Sequence, residues 1–234
     1  MNSGIGLPME SGTTASAASA MALIMPESLM MPVKTPTARN RSRADPEDRV
    51  VVFGAGPIGL GAAIWLKLRG VEHVVVADVI PSRLEKALAV GADVVINSAE
   101  EDVNARLTEL HGQAANALGQ PRPGTDIFID AAGAAAVFNT AVGAAKWGAK
   151  LVMVAVQKKG SDIDLGGMFR SELPLIASQG YAKEIFEVTP ELVEHQDHFA
   201  ELISHRVPSS EIDRAFELAL TPGAAEKVVV TYDA

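Results

Sequence analysis

The 234-residue chain contains no cysteine, which excludes several kinds of site at once. Disulfides, thiolate zinc sites, iron–sulfur clusters and a cysteine nucleophile all require the thiol. Hydrophobic residues nevertheless make up 48% of the sequence, which is enough to build a core. We therefore expect a globular protein with no thiol chemistry.

Positive charge and long apolar runs are also scarce. The net charge is −9, and the only local basic cluster, Arg39, Arg41 and Arg43, is typical of a solvated linker, so we expect no nucleic-acid partner. No apolar run reaches 18 residues, and no basic residue precedes Lys34, which argues against a membrane span or a secretory signal. We expect a cytoplasmic protein without a membrane partner.

The composition and residue pattern of the chain change at Arg49. Residues 1–48 are rich in Ser, Ala, Thr, Met and Pro and are predicted to be a poorly ordered leader. After them, strand-like and helix-like segments alternate at lengths typical of βαβ units. Near-continuous apolar runs such as "VVVA" and "KLVMVAV" favour strands that are covered on both faces, as in a parallel sheet. The fold class predicted is α/β, with a doubly wound, parallel six-stranded sheet.

The predicted elements follow from this alternation. The six strands are 50–54, 73–78, 93–96, 126–130, 149–155 and 172–178, and the helices are 57–69, 81–90, 99–111, 134–145 and 182–196. A further helix, 208–220, and a last strand, 226–232, form a tail that a plain six-stranded fold does not require. In "SAEE", Ser98 and Glu101 have the spacing of a capping box.

A Gly-x-Gly-x-x-Gly pattern lies where the first strand gives way to a helix. Gly54 would permit the tight turn, Gly56 would let a pyrophosphate approach the backbone, and Gly59 would let helix and strand pack closely. The helix then presents unpaired N–H groups to the phosphates. The pattern indicates dinucleotide binding rather than a plain connection.

Asp78 ends the second strand, 24 residues after Gly54, which is near the spacing of an acid that binds the adenosine ribose. A carboxylate there would repel a 2′-phosphate, so NAD is favoured over NADP. Arg83, five residues on, could instead pair with that phosphate. Small residues at two later strand ends, in "DAAG" (130–133) and "AVQ" (155–157), would let a flat ring approach. The candidate cofactor-binding residues are Gly54, Gly56, Pro57, Ile58, Gly59, Asp78, Arg83, Ala132, Gly133, Ala155 and Val156.

Several of these stretches together resemble the medium-chain dehydrogenase/reductase family, particularly its zinc-containing alcohol, polyol and threonine dehydrogenases. They are "DRVVVFGAGPIGL" (48–60), "VVVADVIPSRLEKALAVGADVVIN" (74–97), "DIFIDAAG" (126–133), "GAKLVMVAV" (148–156) and the closing "EIDRAFELAL…KVVVTYD". The resemblance implies a sheet of order 3-2-1-4-5-6, NAD-linked oxidation of a small secondary alcohol or polyol, and a homodimer formed through strand 172–178. It also implies that 49–203 is the nucleotide-binding domain and that 204–234 returns to a GroES-like catalytic domain.

The chain departs from that family in two respects. A preceding catalytic domain with Cys, His and acidic zinc ligands is absent, so we expect no catalytic residue and no zinc site here, and interpret the chain as a truncated or misread product. Gly180, before Tyr181, stands where relatives often carry an arginine near the phosphates, which would lower cofactor affinity.

The residues support other sites and functions less well. The short-chain dehydrogenases need Tyr-x-x-x-Lys, whereas Tyr181 is followed by Ile185 at the required place. His195 and His198 are spaced for a shared helix face, but their polar surroundings favour solvated side chains. Trp65 and Trp147 are expected to serve packing. A dinucleotide-binding or interaction module without turnover stays open as the alternative function.

Overall fold

The protein is described here by a computed structural model covering residues 44–157, 160, 162–178 and 184–232. Most of the leader, 1–43, lies outside the described residues, as do Gly180, Tyr181 and Lys183.

Six parallel strands form the main sheet in the order β3-β2-β1-β6-β7-β8. Their bounds are β1 Arg49–Phe53, β2 His73–Asp78, β3 Val94–Asn97, β6 Ile127–Asp130, β7 Lys150–Met153 and β8 Leu175–Ala177. The hairpin strands β4 Gln113–Ala115 and β5 Pro121–Pro123 stand outside this sheet. Counting only the main strands, the order is 3-2-1-4-5-6, so the predicted fold class and strand order are confirmed.

The helices cover both faces of the sheet. They are α1 Pro57–Leu68, α2 Pro81–Ala89, α3 Val103–His111, α4 Ala135–Ala144, α5 Leu165–Ser171, α6 Glu184–Glu194, α7 Gln196–Ala200 and α8 Ile212–Leu220. In β1, Val50 and Val52 join a cluster with α1, α2, α6 and α7, whereas Val51 and Phe53 join a cluster with α3 and α4. Successive side chains of a strand point to opposite faces, so an all-apolar strand fits only a doubly covered sheet.

The start of α3 differs from the prediction. The helix begins at Val103 rather than residue 99, and its cap is Asp102, whose carboxylate accepts hydrogen bonds from the N–H groups of Asn104 and Ala105. Glu101 instead accepts the N–H of Asn97 at 2.9 Å. The predicted capping box at Ser98 is therefore wrong, because residues 98–101 form a turn in which the N–H groups of Glu100 and Glu101 bond to Asn97 O.

The edge of the sheet is shorter than the predicted strand 172–178. Residues 165–171 form α5, Glu172 ends that helix in a left-handed conformation (φ 47°), and the ladder starts only at Leu175. Pro174 has no N–H to give to the ladder, which explains the late start. The edge strand is consequently three residues long.

The two tryptophans have opposite environments. Trp65 is 2% exposed, with its ring centroid 5.4 Å from that of Phe199, which confirms a packing role. Trp147 is 60% exposed. The packing expected of Trp147 is wrong, because this residue lies in the turn before β7, where its backbone N–H donates to Ala115 O while the indole ring stays at the surface.

The tail forms a separate two-stranded sheet. β9 His205–Pro208 and β10 Val228–Thr231 pair in parallel, and a 3-10 turn, Ser209–Glu211, leads into α8 between them. Within the described residues, no helix is long and apolar enough to cross a membrane.

Candidate functional site

Two of the three motif glycines are required by close packing. Gly54 has φ +97°, and a Cβ there would lie 2.9 Å from Ala132 N. A Cβ on Gly59 would lie 1.8 Å from Gly54 O. The turn after β1 therefore packs directly on the first turn of α1 and on the loop after β6, and side chains at these two positions would prevent that packing.

Gly56 differs from both. Its φ is −76°, and a Cβ built there would meet nothing within 4 Å, so the space over this position is open. Gly56 is also the N-cap of α1, and no side chain in the described residues caps this helix end. Pro57 and Ile58, both half-buried, form its first positions. An uncapped helix amino terminus below open space is suited to bind an anion such as a phosphate.

The carboxylate of Asp78 contacts the glycine turn from the end of β2. It is 9% exposed, and its Oδ2 accepts the N–H of Ala55 at 2.6 Å. Its Oδ1 accepts the N–H groups of Val79 and Ile80 at 2.7 and 2.9 Å. The carboxylate thus joins the glycine turn to the end of β2 and is held in one orientation.

Arg83 lies in the first turn of α2, three residues after Ile80, whose carbonyl accepts its backbone N–H. The side chain is half-buried, and its Nε has no hydrogen-bond partner among the described residues. A guanidinium N–H thus stands unpaired close in sequence to the Asp78 end of the cleft.

The loops after β6 and β7 form the other side of the site. Gly133 has φ +67°, and a Cβ there would lie 2.8 Å from Val156 O and 3.3 Å from Ala155 Cβ. Ala132 and Val156 are exposed, Val156 by 81%, while Ala155 is half-buried. The two loops touch, and their small residues face accessible space.

Asp130 and Gln157, which are not among the cofactor-binding residues predicted from the sequence, hold these loops together. The Asp130 side chain is fully buried, and its Oδ1 accepts the N–H groups of Ala132 and Gly133 at 3.0 and 2.9 Å. Gln157 Nε2 donates to Asp130 Oδ2 at 2.5 Å. Burial raises the pKa of Asp130, while these hydrogen bonds act to lower it. An acid followed by two small residues and a glycine was the available signal for Asp130; Gln157 had none.

All the site loops follow strands that are neighbours in the sheet, β2, β1, β6 and β7. Chain order reverses about β1, and ligands of open α/β sheets bind beyond the strand carboxyl ends at such a switch point. Three strand spacings span about 14 Å. The structure thus places the loops that carry Asp78, Gly56 and Val156 side by side at the carboxyl ends of the strands, with the uncapped amino terminus of α1 in the middle.

The histidine pair lies elsewhere. His195 precedes α7, and His198, in α7, is half-buried with Nε2 3.0 Å from Val90 O. The expectation of solvated side chains is wrong for His198, because α7 packs against α1, where the ring of Phe199 lies beside that of Trp65. In the described part of the chain, no three His, Asp or Glu residues are grouped so as to hold a metal ion.

Known proteins resemble the chain in sequence and in fold. L-threonine 3-dehydrogenase of Yersinia pestis (strain Pestoides F) is 30% identical over 187 residues, which are 79% of this chain and 51% of that protein. The short chain alcohol dehydrogenase of E. coli CFT073, solved in complex with NADH, is 30% identical with a TM-score of 0.68, over 79% of this chain and 52% of that one. 2R,3R-butanediol dehydrogenase of Bacillus subtilis, at 21% identity and a TM-score of 0.74 over 97% of this chain and 60% of that one, shares the fold.

The chain thus spans about half the length of the relatives it matches. Residues 57–195, which extend from the first turn of α1 to the end of α6, match the model of the zinc-binding dehydrogenases. The match covers more than half of the chain. The chain therefore belongs to the zinc-binding dehydrogenase family.

Proposed function

We propose that the chain is the NAD(H)-binding part of a medium-chain oxidoreductase that transfers hydride between a secondary alcohol or polyol and NAD. The observation that carries this proposal is the open position over Gly56 beside the uncapped amino terminus of α1. The relative solved with NADH supports it. In this proposal the turn Gly54–Gly59 receives the pyrophosphate, and Asp78 receives the adenosine ribose.

NAD is proposed over NADP because of the Asp78 carboxylate. Three backbone N–H groups fix its two oxygens at the end of β2, so a 2′-phosphate would have to displace a held anion or lie beside it. The positive charge of the half-buried Arg83 side chain, five residues on, is the feature that could offset this repulsion. Comparing NADH with NADPH therefore tests the balance between these two side chains.

The proposed chemistry also requires a group outside the described site. Hydride transfer needs a substrate polarised beside the nicotinamide, which a zinc ion can do as a Lewis acid. A chain without cysteine cannot supply thiolate ligands to such an ion. We propose that these residues bind the cofactor and show little or no turnover by themselves.

Binding is tested by titrating the protein with NADH and NADPH and following nicotinamide fluorescence. We expect NADH to bind more tightly, and Gly56→Val to raise the NADH Kd at least about tenfold, because the new side chain fills the open space over the turn. Gly143→Val is the matched control, since Gly143 is exposed on α4 and its Cβ would also meet nothing within 4 Å. Equal NADH affinity of the wild type and Gly56→Val would contradict the proposal.

The alternative, a binding module without turnover, makes a different prediction. Both functions require NADH binding, but only the oxidoreductase predicts alcohol-dependent NAD reduction once a zinc-carrying catalytic domain is supplied. Steady-state oxidation of a secondary alcohol by the purified, zinc-loaded chain would contradict the expectation of little turnover by itself.

We further propose a homodimer formed along the β8 edge. Leu118, Leu165 and Phe169 are 68%, 72% and 84% exposed and line a depression of about 600 Å³ beside α5. Leu175, on β8 itself, is 39% exposed. An open sheet edge next to exposed apolar side chains favours pairing with another copy.

The assignment of 49–203 to the nucleotide domain and of 204–234 to a catalytic domain stays a proposal, as does the cytoplasmic location.

A further inference from the structure

One hydrogen bond joins the two loops at the β6–β7 side of the site through side chains. Gln157 Nε2 lies 2.5 Å from Asp130 Oδ2, while Asp130 Oδ1 accepts the N–H groups of Ala132 and Gly133. The main-chain carbonyl of Asp130 also accepts the N–H groups of Val154 and Ala155, at 3.0 Å each. Asp130 is thus the common acceptor for the loop after β6 and the loop after β7.

A buried carboxylate is costly unless hydrogen bonds stabilise it. Asp130 has no exposed surface, and Gln157, half-buried, supplies the side-chain donor. An apolar residue would pack in the interior without this cost. The hydrogen bonds instead fix the conformation of residues 131–133 and bring residues 155–157 against them, where Gly133 leaves no room for a Cβ below Val156 O.

The position of these loops along the cleft indicates which part of a bound dinucleotide they would face. Asp78 lies at the β2 end, and the anion-binding turn lies at β1. A dinucleotide with its adenosine ribose at Asp78 and its pyrophosphate at Gly56 must place its second nucleoside toward β6 and β7, the next strands in the sheet. The small, accessible residues there leave space for a flat ring.

We propose that Asp130 and Gln157 are positioning residues for the nicotinamide end of the cofactor: their hydrogen bond holds the two loops as one subsite without touching the ligand. This inference rests on the proposed function, since it assumes that a dinucleotide lies along the cleft. In this inference the β1–β2 end of the site binds the adenosine ribose and the pyrophosphate, and the β6–β7 end positions the nicotinamide. Losing the bond should loosen the nicotinamide end alone.

ADP-ribose separates the two ends, because it carries the adenosine, pyrophosphate and second ribose but no nicotinamide. We expect Gln157→Ala to raise the NADH Kd about tenfold and the ADP-ribose Kd less than about twofold. The emission of bound NADH should also shift toward that of free NADH. Gln113→Ala, at an exposed glutamine of β4, is the matched control and should change neither Kd.

A side-chain exchange tests the bond itself. In Gln157→Glu two carboxylates meet, so NADH binding should weaken as in Gln157→Ala. In the double variant Asp130→Asn/Gln157→Glu the donor and the acceptor are exchanged at the same net charge, and NADH affinity should return to within about threefold of the wild type. Thermal unfolding of each variant reports whether the fold is kept.

The outcomes distinguish the inference from the proposed function. Equal weakening of NADH and ADP-ribose in Gln157→Ala, unchanged NADH affinity, or a double variant no better than Gln157→Glu would overturn the positioning role. Wild-type protein that binds neither NADH nor ADP-ribose would overturn the proposed function, and the inference with it. Wild-type binding of both ligands, with the expected split in Gln157→Ala, supports both.

Discussion

The three glycines of the turn after β1 share a motif but not a physical constraint. Gly54 needs a positive φ, Gly59 needs the absence of a Cβ against Gly54 O, and Gly56 needs neither for folding. The spacing in the sequence predicted the turn, and the packing now separates residues that shape it from the one that leaves space above it. Stability and ligand binding should therefore respond to different glycines.

Alanine substitutions at these positions should differ in their effect on stability. Gly59→Ala brings a Cβ to 1.8 Å from Gly54 O and should lower the free energy of unfolding by about 2 kcal/mol or more. Gly56→Ala should cost less than about 1 kcal/mol. The control Gly143→Ala, in an exposed helix position, should stabilise by about 0.5–1 kcal/mol. Urea unfolding measures all three, and equal losses at positions 56 and 59 would contradict the packing argument.

His111 should make stability depend on pH. The ring is 2% exposed, its Nδ1 lies 2.8 Å from Thr125 Oγ1, and its Nε2 has no partner among the described residues. Burial, and then the positive charge of Arg49, lower the pKa of His111 to about 4. Because the pKa is lower in the folded protein than in the unfolded chain, protonation favours unfolding. The contribution of neutral His111 to the free energy of unfolding is fully present above about pH 6.5. It is lost as the pH drops toward 4, by up to about 3 kcal/mol.

The variant His111→Gln isolates this effect. It can still bond to Thr125 but does not titrate, so its unfolding free energy should change less than that of the wild type between pH 7 and pH 4.5. Carboxyl groups, including Asp130, whose pKa burial raises, are common to both proteins, so their contribution cancels in the comparison. Parallel pH profiles for the two proteins in urea unfolding would show that His111 has no such role.

At the scale of elements, apolar runs predicted the main sheet better than its connections. The first five predicted strands end within two residues of the observed ones, because continuous valine, isoleucine and leucine runs have few alternatives to a doubly covered strand. The hairpin of β4 and β5, by contrast, has two prolines in one of its short strands and carries little periodic signal. Helix α5, with paired glycines, was missed for a related reason, since glycine is a poor helix former.

The amino end of α3 shows how local competition decides a boundary. Both Ser98 and Asp102 are good caps, but Asn97 O already accepts the N–H groups of Glu100 and Glu101, which leaves the helix to start after Asp102. Asp102→Ala should therefore lower the free energy of unfolding by about 1 kcal/mol. Ser98→Ala, the control at the position predicted from sequence, should change it by less than about 0.5 kcal/mol. If urea unfolding showed a larger loss of unfolding free energy in Ser98→Ala than in Asp102→Ala, it would support the cap predicted from the sequence.

At the scale of the whole molecule, topology joins features that are far apart in sequence. The glycine pattern and Asp78 could be found from sequence because their spacing is local to one βαβ unit. The bond between Asp130 and Gln157 could not, because it depends on β6 and β7 being neighbours with loops of compatible length. The tail also reaches this edge, since a Cβ on Gly223 would lie 3.4 Å from Ile80 Cγ2, two residues after Asp78. The turn after α8 therefore lies beside Ile80, near the Asp78 end of the site.

The proposed dimer depends on the apolar surface beside β8. Phe169 is 84% exposed on α5, next to Leu118 and Leu165, so an aspartate there would place a charge among side chains that the partner should cover. Phe169→Asp should shift the mass in light scattering at micromolar concentration from twice the 24.5 kDa chain mass to a single chain. NADH affinity should persist, since the cleft lies at the strand ends.

Phe216→Asp is the matched control for that experiment. Phe216 is 61% exposed on α8, outside the β8 surface, so the same charge there should leave the dimer intact. A wild-type protein of single-chain mass would contradict the dimer. Dissociation by Phe216→Asp but not by Phe169→Asp would move the interface from the sheet edge to the tail, where Ile212, Phe216 and Leu220 of α8 are exposed.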